Sequence, residues 1–275
     1  MTKLNFSSES GSAAGGKTDS AGVPWAGRQF DQSAFSSDDG SAPERLIEAL
    51  RRFRSRELGE AEVVDAVRDS RFLIPLLAEL GGADRATKAD QLTLGEHGLL
   101  VDKSAELSIV TVAGPDGRNV MPVFTSVAAM KLWNPDARPV PADAVRVALA
   151  AAGEHTELVV VDATTATEFV IRRPALKAIA TSQPWQPCYH DTAVLRAFVS
   201  HVESEPSVLS VVLEGGDPDA RLEGPELVVR LELAGGLDET ELGELLVRLQ
   251  LRWSTDETIA NRVDSLTIKI GPIHE

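Results

Sequence analysis

Apolar positions recur at helical spacing after residue 43, where Leu46, Ile47, Leu50 and Phe53 share one face. Ser41-Ala42-Pro43-Glu44 ahead of them reads as a capping box with proline in the first turn. A shorter helix over 60–69 presents Val63, Val64 and Val67. Strand-like runs follow at 72–77, 98–103 and 106–113, and Pro75 in the first suggests an edge strand or a bulge. Gly114-Pro115-Asp116-Gly117 is turn chemistry, because proline presets φ and glycine accepts positive φ. Residues 119–124 then return as the second arm of a hairpin. Thr125 or Ser126 caps a helix to Trp133 that Asn134-Pro135 stops. An Ala/Val helix over 141–152, strands at 157–161 and 168–172 and a helix opened by Pro174 complete a mixed-sheet α+β domain over 41–182.

Residues 183–190, with Pro184 and Pro187, read as a linker that cannot continue a helix. A second α+β domain is expected over 191–275. Asp191 caps a helix bearing Val194, Leu195, Phe198 and Val202, and strands at 208–213 and 227–233 follow. Asp238 and Glu241 form an N-terminal box for a helix lined by Leu242, Leu245, Leu246, Leu249 and Trp253. Residues 263–270 make the last strand. The order α-β-β-α-β predicts a ferredoxin-like domain, a fold that hosts many functions and assigns none.

Residues 1–40 are rich in Ser and Gly and poor in aliphatics, so a disordered tail is expected. An aromatic island at 23–35 interrupts it with Trp25, Arg28, Phe30 and Phe35. Either the island docks on the folded body, the plainer reading, or a partner recognises it as a linear motif.

Composition narrows the function classes. The 275 residues are 43% hydrophobic and 25% charged, ordinary for globular protein, with a net charge of −15. Such a balance disfavours nucleic acid, and the one basic cluster, Arg51, Arg52, Arg54 and Arg56, reads as a solvated helix face. Acidic charge concentrates late: 17 acidic and 7 basic residues follow residue 183. Solubility explains this most simply; a basic partner is the functional reading. Cys188 is the only cysteine, so neither an internal disulfide nor a cysteine zinc site can form, and a reducing compartment fits. Met1–Ser7 lacks the apolar segment of a secretory signal, and no run of about 18 apolar residues occurs. A cytoplasmic protein without a membrane span is expected.

Candidate chemistry is sparse. Gly11-Ser12-Ala13-Ala14-Gly15-Gly16-Lys17-Thr18 matches the phosphate-binding loop pattern, but neither a buried strand before it nor a helix after it is present. Cys188-Tyr189-His190-Asp191 gathers a thiol, an imidazole and a carboxylate, yet Asp191 already serves as a helix cap. His97, His155, His190, His201 and His274 have no metal-ligand spacing, and Asp217-Pro218-Asp219 is not a calcium loop. Trp133 reads as a lid on the core and Trp185 as a residue that sets an interdomain angle.

Val23-Pro24-Trp25-Ala26-Gly27-Arg28, Arg71-Phe72-Leu73-Ile74-Pro75, Met121-Pro122-Val123-Phe124-Thr125-Ser126, Trp133-Asn134-Pro135 and the Trp185-Gln186-Pro187 linker together resemble the actinobacterial SseB-like family. The resemblance spans about residues 21–190 and implies an SseB-type N-terminal domain. The region after Pro187 resembles the family's second domain less specifically. The resemblance brings no catalytic residue and no cofactor. The expectation is therefore a non-catalytic protein-interaction or regulatory module, with Trp25, Arg28, Phe30, Phe35, Trp133 and Trp185 as contact candidates. The alternative is an enzyme acting on a small molecule at an interdomain cleft, near Cys188, His190 or the Asp217 loop.

Overall fold

The computed structural model describes residues 35–78, 107–153, 156 and 158–271. Residues Asp38–Glu275 form one compact unit; of the other, Met1–Ser37, only a turn at Phe35–Ser37 is described. Trp25, Arg28, Phe30, the 11–18 loop pattern, the strand expected at 98–103, and His97, His155 and His274 lie outside the described residues.

Helices α1 (Glu44–Arg54) and α2 (Glu60–Arg68) form where the apolar spacing predicts them and bury Leu46, Leu50, Phe53, Val63 and Val67. The capping box does not form: Pro43 holds the cap position and no side chain caps the turn. Strand β1 (Arg71–Ala78) is central, not an edge: it lies between β2 (Leu107–Ile109) and β5 (Arg138–Asp143), antiparallel to both. Its proline is tolerated because of register. Leu73 exchanges both backbone hydrogen bonds with Phe124, at 2.8 and 3.0 Å, so its N–H points away from β5. Pro75 has the same parity and sits opposite Pro139, while Leu73 sits opposite Pro141. All three prolines thus occupy positions that supply no donor to this ladder.

The run at 106–113 divides into β2 and a separate β3 (Val112–Ala113), which pairs with β4 (Asn119–Val123) through the expected turn. Gly117 takes φ 81° and donates to the Gly114 carbonyl. A sheet of order β3-β4-β6-β7 is completed by β6 (Val159–Val161) and β7 (Phe169–Ile171). Helix α3 (Val127–Trp133) is capped by Ser126, α4 (Ala144–Gly153) begins later than predicted because β5 runs through Asp143, and α5 (Arg173–Ala180) carries Pro174 in its first turn.

A 3₁₀ turn at Cys188–His190 leads into α6 (Thr192–Val202), β8 (Val208–Gly215), β9 (Leu227–Leu233), α7 (Glu239–Ser254), α8 (Glu257–Arg262) and β10 (Leu266–Ile270). Asp191 caps α6, and the Asp238/Glu241 box closes at 2.9 and 3.0 Å. Residues 257–262, for which the sequence predicts no element, form α8 because Asp256 accepts from the Thr258 and Ile259 N–H groups. The sheet order is β10-β9-β8, with β10 directly parallel to β9. The predicted α-β-β-α-β order is present with α8 added before β10, but in this sheet no strand separates β9 from β10 as a split β-α-β would require.

Two main cores result. The first gathers α1, α2, α4, α5 and strands β1, β4, β5, β6 and β7; the second gathers Val194, Phe198, Leu231, Leu245, Leu249 and Trp253. The β8–β9 loop crosses between them. Its Ala220 lies in the first core, and Leu222 packs with Val120, Leu158, Val160 and Val170. Val170 donates its N–H to the Ala220 carbonyl at 2.8 Å, so the loop extends the edge of β7. Ala220 and Leu222 take left-handed φ of 47° and 60°, a conformation that costs about 1–2 kcal/mol per non-glycine residue and must be held by its surroundings. Leu222→Ala is expected to lower stability by about 2–5 kcal/mol in urea denaturation. A loss below about 1 kcal/mol, the range of an ordinary surface change, would show that the loop is not packed against the β4-β6-β7 sheet.

Candidate functional site

Arg172 follows β7 at the cap of α5, and its side chain is buried. Its guanidinium donates to Asp217 at 2.6 Å, to the Gly224 carbonyl at 3.0 Å, to Asp264 at 3.1 Å and to Ser265 Oγ at 3.3 Å. Asp217 also accepts from the Arg221 and Leu222 N–H groups, which fixes the turn of the β8–β9 loop. Asp264, fully buried at its side chain, accepts from Arg118 as well, and Arg118 in turn holds Asp116 at 2.7 Å. Two buried carboxylates are thus paired through one planar fork, the geometry in which guanidinium outperforms ammonium.

The far side of this seam is short of cations. Glu226 accepts from the Asp264 N–H at 2.6 Å, and its own N–H donates to Ser265 Oγ at 3.0 Å. Burial, with repulsion from Asp264 and Glu60, pushes its carboxyl up to about 7 against the pull of Arg172 and the Asp264 N–H. Glu60 accepts from the Tyr189 hydroxyl at 2.8 Å, and burial raises its carboxyl too. The Cys188 thiol lies beside Glu226; burial and then the two carboxylates drive it well above the ordinary thiol range. A thiol so placed keeps its proton, the opposite of an activated nucleophile. His190 is exposed and its ring centroid stands 4.6 Å from that of Tyr189, while Asp191 caps α6 and binds Arg262 at 2.6 Å. The Cys188–Asp191 quartet therefore splits among three different tasks.

An open cleft of about 750 Å³ lies between α5, the 183–191 segment and α8. Pro174, Lys177, Trp185, Asp191, Asn261 and Arg262 are among its walls. Arg173 braces it by donating to the Ala260 and Val263 carbonyls at 2.9 and 2.8 Å, and Lys177 reaches Asn261 at 3.1 Å. Trp185 is half-buried: part of it packs on the first core and part faces the cleft.

Of the other contact candidates, Trp133 packs on a smaller cluster of Leu73, Phe124, Met130 and Ala137, 5.4 Å from Phe124 between ring centroids, and Phe35 is half-buried. The basic cluster is only partly the solvated face expected from sequence. Arg51 and Arg52 pair with surface carboxylates, but Arg54 donates to the Glu168 and Asp219 carbonyls and Arg56 to Pro218 and Asp219. They clamp the β8–β9 loop. Arg172, Glu226 and Asp264 have no motif around them; their only sequence signal is a charge beside an apolar run. Among the described residues, no group of three His, Cys, Asp or Glu side chains is set to hold a metal ion, and no helix is long and apolar enough to cross a membrane.

Residues 46–178 match the family described as SseB protein N-terminal domain, which supports an SseB-like family for the chain. No curated protein and no solved structure matches it.

Arg172→Met would leave the Asp217 and Asp264 carboxylates without their buried partner. A loss of about 3–5 kcal/mol is expected in urea denaturation at neutral pH. A loss under about 1 kcal/mol, the worth of an exposed pair, would mean that the pairing is solvent-screened.

Proposed function

We propose that this SseB-like chain is a non-catalytic protein-interaction module that receives an extended peptide segment of a partner in the Trp185 cleft. The observation that carries this reading is a division of labour among side chains. The buried charges Arg172, Asp217 and Asp264 are committed to one another, whereas the open cleft offers Trp185, flanked by Pro184 and facing Pro174. An aromatic beside prolines is a firm apolar contact with little side-chain entropy to lose. Around it stand amides and hydroxyls from Gln183, Gln186, Thr181, Thr258 and Asn261, which suit the carbonyls and N–H groups of an extended backbone. The net charge of −15 supports a protein over a nucleic acid as the partner.

The alternative, an enzyme at the same cleft, needs a reactive group at its surface. Cys188 is closed off beside Glu226, and Asp217 is held under Arg172. Both facts weigh toward the interaction reading.

Selection of displayed peptides on the full chain tests it. Peptides that bind the native chain and bind Trp185→Ala at least about tenfold more weakly, with the circular dichroism spectrum unchanged, are expected, as for loss of one buried aromatic anchor. Peptides that bind both proteins equally, or none at all, would contradict the proposal.

A further inference from the structure

The cleft wall and the buried seam share one stretch of chain. Gln183–Gln186 and Asp191 line the cleft, and between them Cys188 and Tyr189 reach down to Glu226 and Glu60. Carboxyls outnumber cations there. Asp217 and Asp264 take the buried Arg172, and Arg118 is divided between Asp264 and Asp116. Among the described residues, no guanidinium hydrogen-bonds Glu60 or Glu226. The groups facing Glu226 are Asp264 and Arg172 from the strand ends, Glu60 from α2, and Cys188 from the 3₁₀ turn, with Tyr189 beyond it. Asp217 faces Glu60 from the β8–β9 loop. Ionised Glu226 would thus put a third negative charge against Asp264 and Glu60 with Arg172 already paired to Asp217 and Asp264.

We propose that Glu226 is the proton-operated latch of the cleft: protonated, it holds the 183–191 segment closed on the second core, and ionised, it releases that segment and the cleft wall with it. This inference rests on the cleft being the working surface, since it assigns that surface its regulation.

The direction follows from linkage. The closed state keeps the proton to about pH 7, whereas an opened seam hydrates Glu226 and returns it to about 4.5. Closure is then favoured fully below about pH 4.5 and is lost as pH rises through about 7, after which opening no longer changes.

Cys188, the only cysteine, reports opening directly. The full chain is alkylated with N-ethylmaleimide from pH 5 to pH 8, and each rate is divided by that of a cysteine peptide to remove the thiolate fraction. Accessibility so normalised is expected to rise on the order of 50-fold, most of it below pH 7, and E226Q is expected to stay low and flat. A flat native curve, or an E226Q curve that follows the native one, would overturn the proposal. Should E226Q not fold, hydrogen exchange at the Asp264 amide, which Glu226 accepts, decides: protection that falls over the same range supports the latch, and constant protection overturns it. No cleft ligand enters these measurements. A failed peptide selection therefore leaves the latch standing, and a flat alkylation curve leaves the peptide reading standing.

Discussion

The pairing of Arg172 with Asp217 and Asp264 is the constraint on which the rest of the structure depends. Three stretches of chain distant in sequence meet at one guanidinium: the end of β7, the β8–β9 loop and the start of β10. Removing such charges from water costs several kcal/mol per ion, and close geometry in low dielectric offsets that cost only when every donor and acceptor is satisfied. Here the two carboxylates are met by Arg118, Ser265 and the N–H groups of Arg221 and Leu222 as well, and the guanidinium also reaches the Gly224 carbonyl. Such pairing selects one mutual placement of the two cores, because an apolar contact would tolerate sliding and a guanidinium bridging two carboxylates does not.

The loop that this pairing anchors cannot take another course. A side chain at Gly216 would meet the Pro225 carbonyl at 2.3 Å, and one at Gly224 would meet the Gly216 carbonyl at 2.4 Å, so the two loop stems approach as only glycines allow. Beyond the stems, Ala220 enters the first core and Leu222 packs on the β4-β6-β7 sheet, and Arg54 and Arg56 close over the backbone at 218–219. The SseB match ends at residue 178, yet the region it covers is packed by residues more than forty positions later. The cleft then takes its shape from the same joint: α5 follows directly from Arg172, and α8 ends just before Asp264.

Local physics made much of this legible in the sequence. Proline and glycine at 114–117 specify a hairpin, Asp191 and Asp238 specify helix starts, and Leu245, Leu249 and Trp253 specify a buried face, because each acts within a few residues of itself. What stayed hidden acts at long range. Pro75 in a central strand is acceptable only because Leu73 bonds Phe124, and no local pattern reports that parity. Arg54 reads as one of four solvated arginines until Asp219, 165 positions away, is brought beneath it. The seam was illegible for the same reason: Glu60, Arg172, Glu226 and Asp264 are ordinary charges in their own segments and become a site only when folded together. Trp185 stands out in the sequence as a tryptophan between prolines, but the cleft it faces depends on α8, whose cap at Asp256 carried no apolar periodicity.

If the Arg172 seam joins both cores into one cooperative body, differential scanning calorimetry of the full chain measures that most directly. A single endotherm, with calorimetric and van't Hoff enthalpies equal within error, is the result expected. Two separable transitions, or an Arg172→Met protein that melts with the same profile as the native chain, would contradict it.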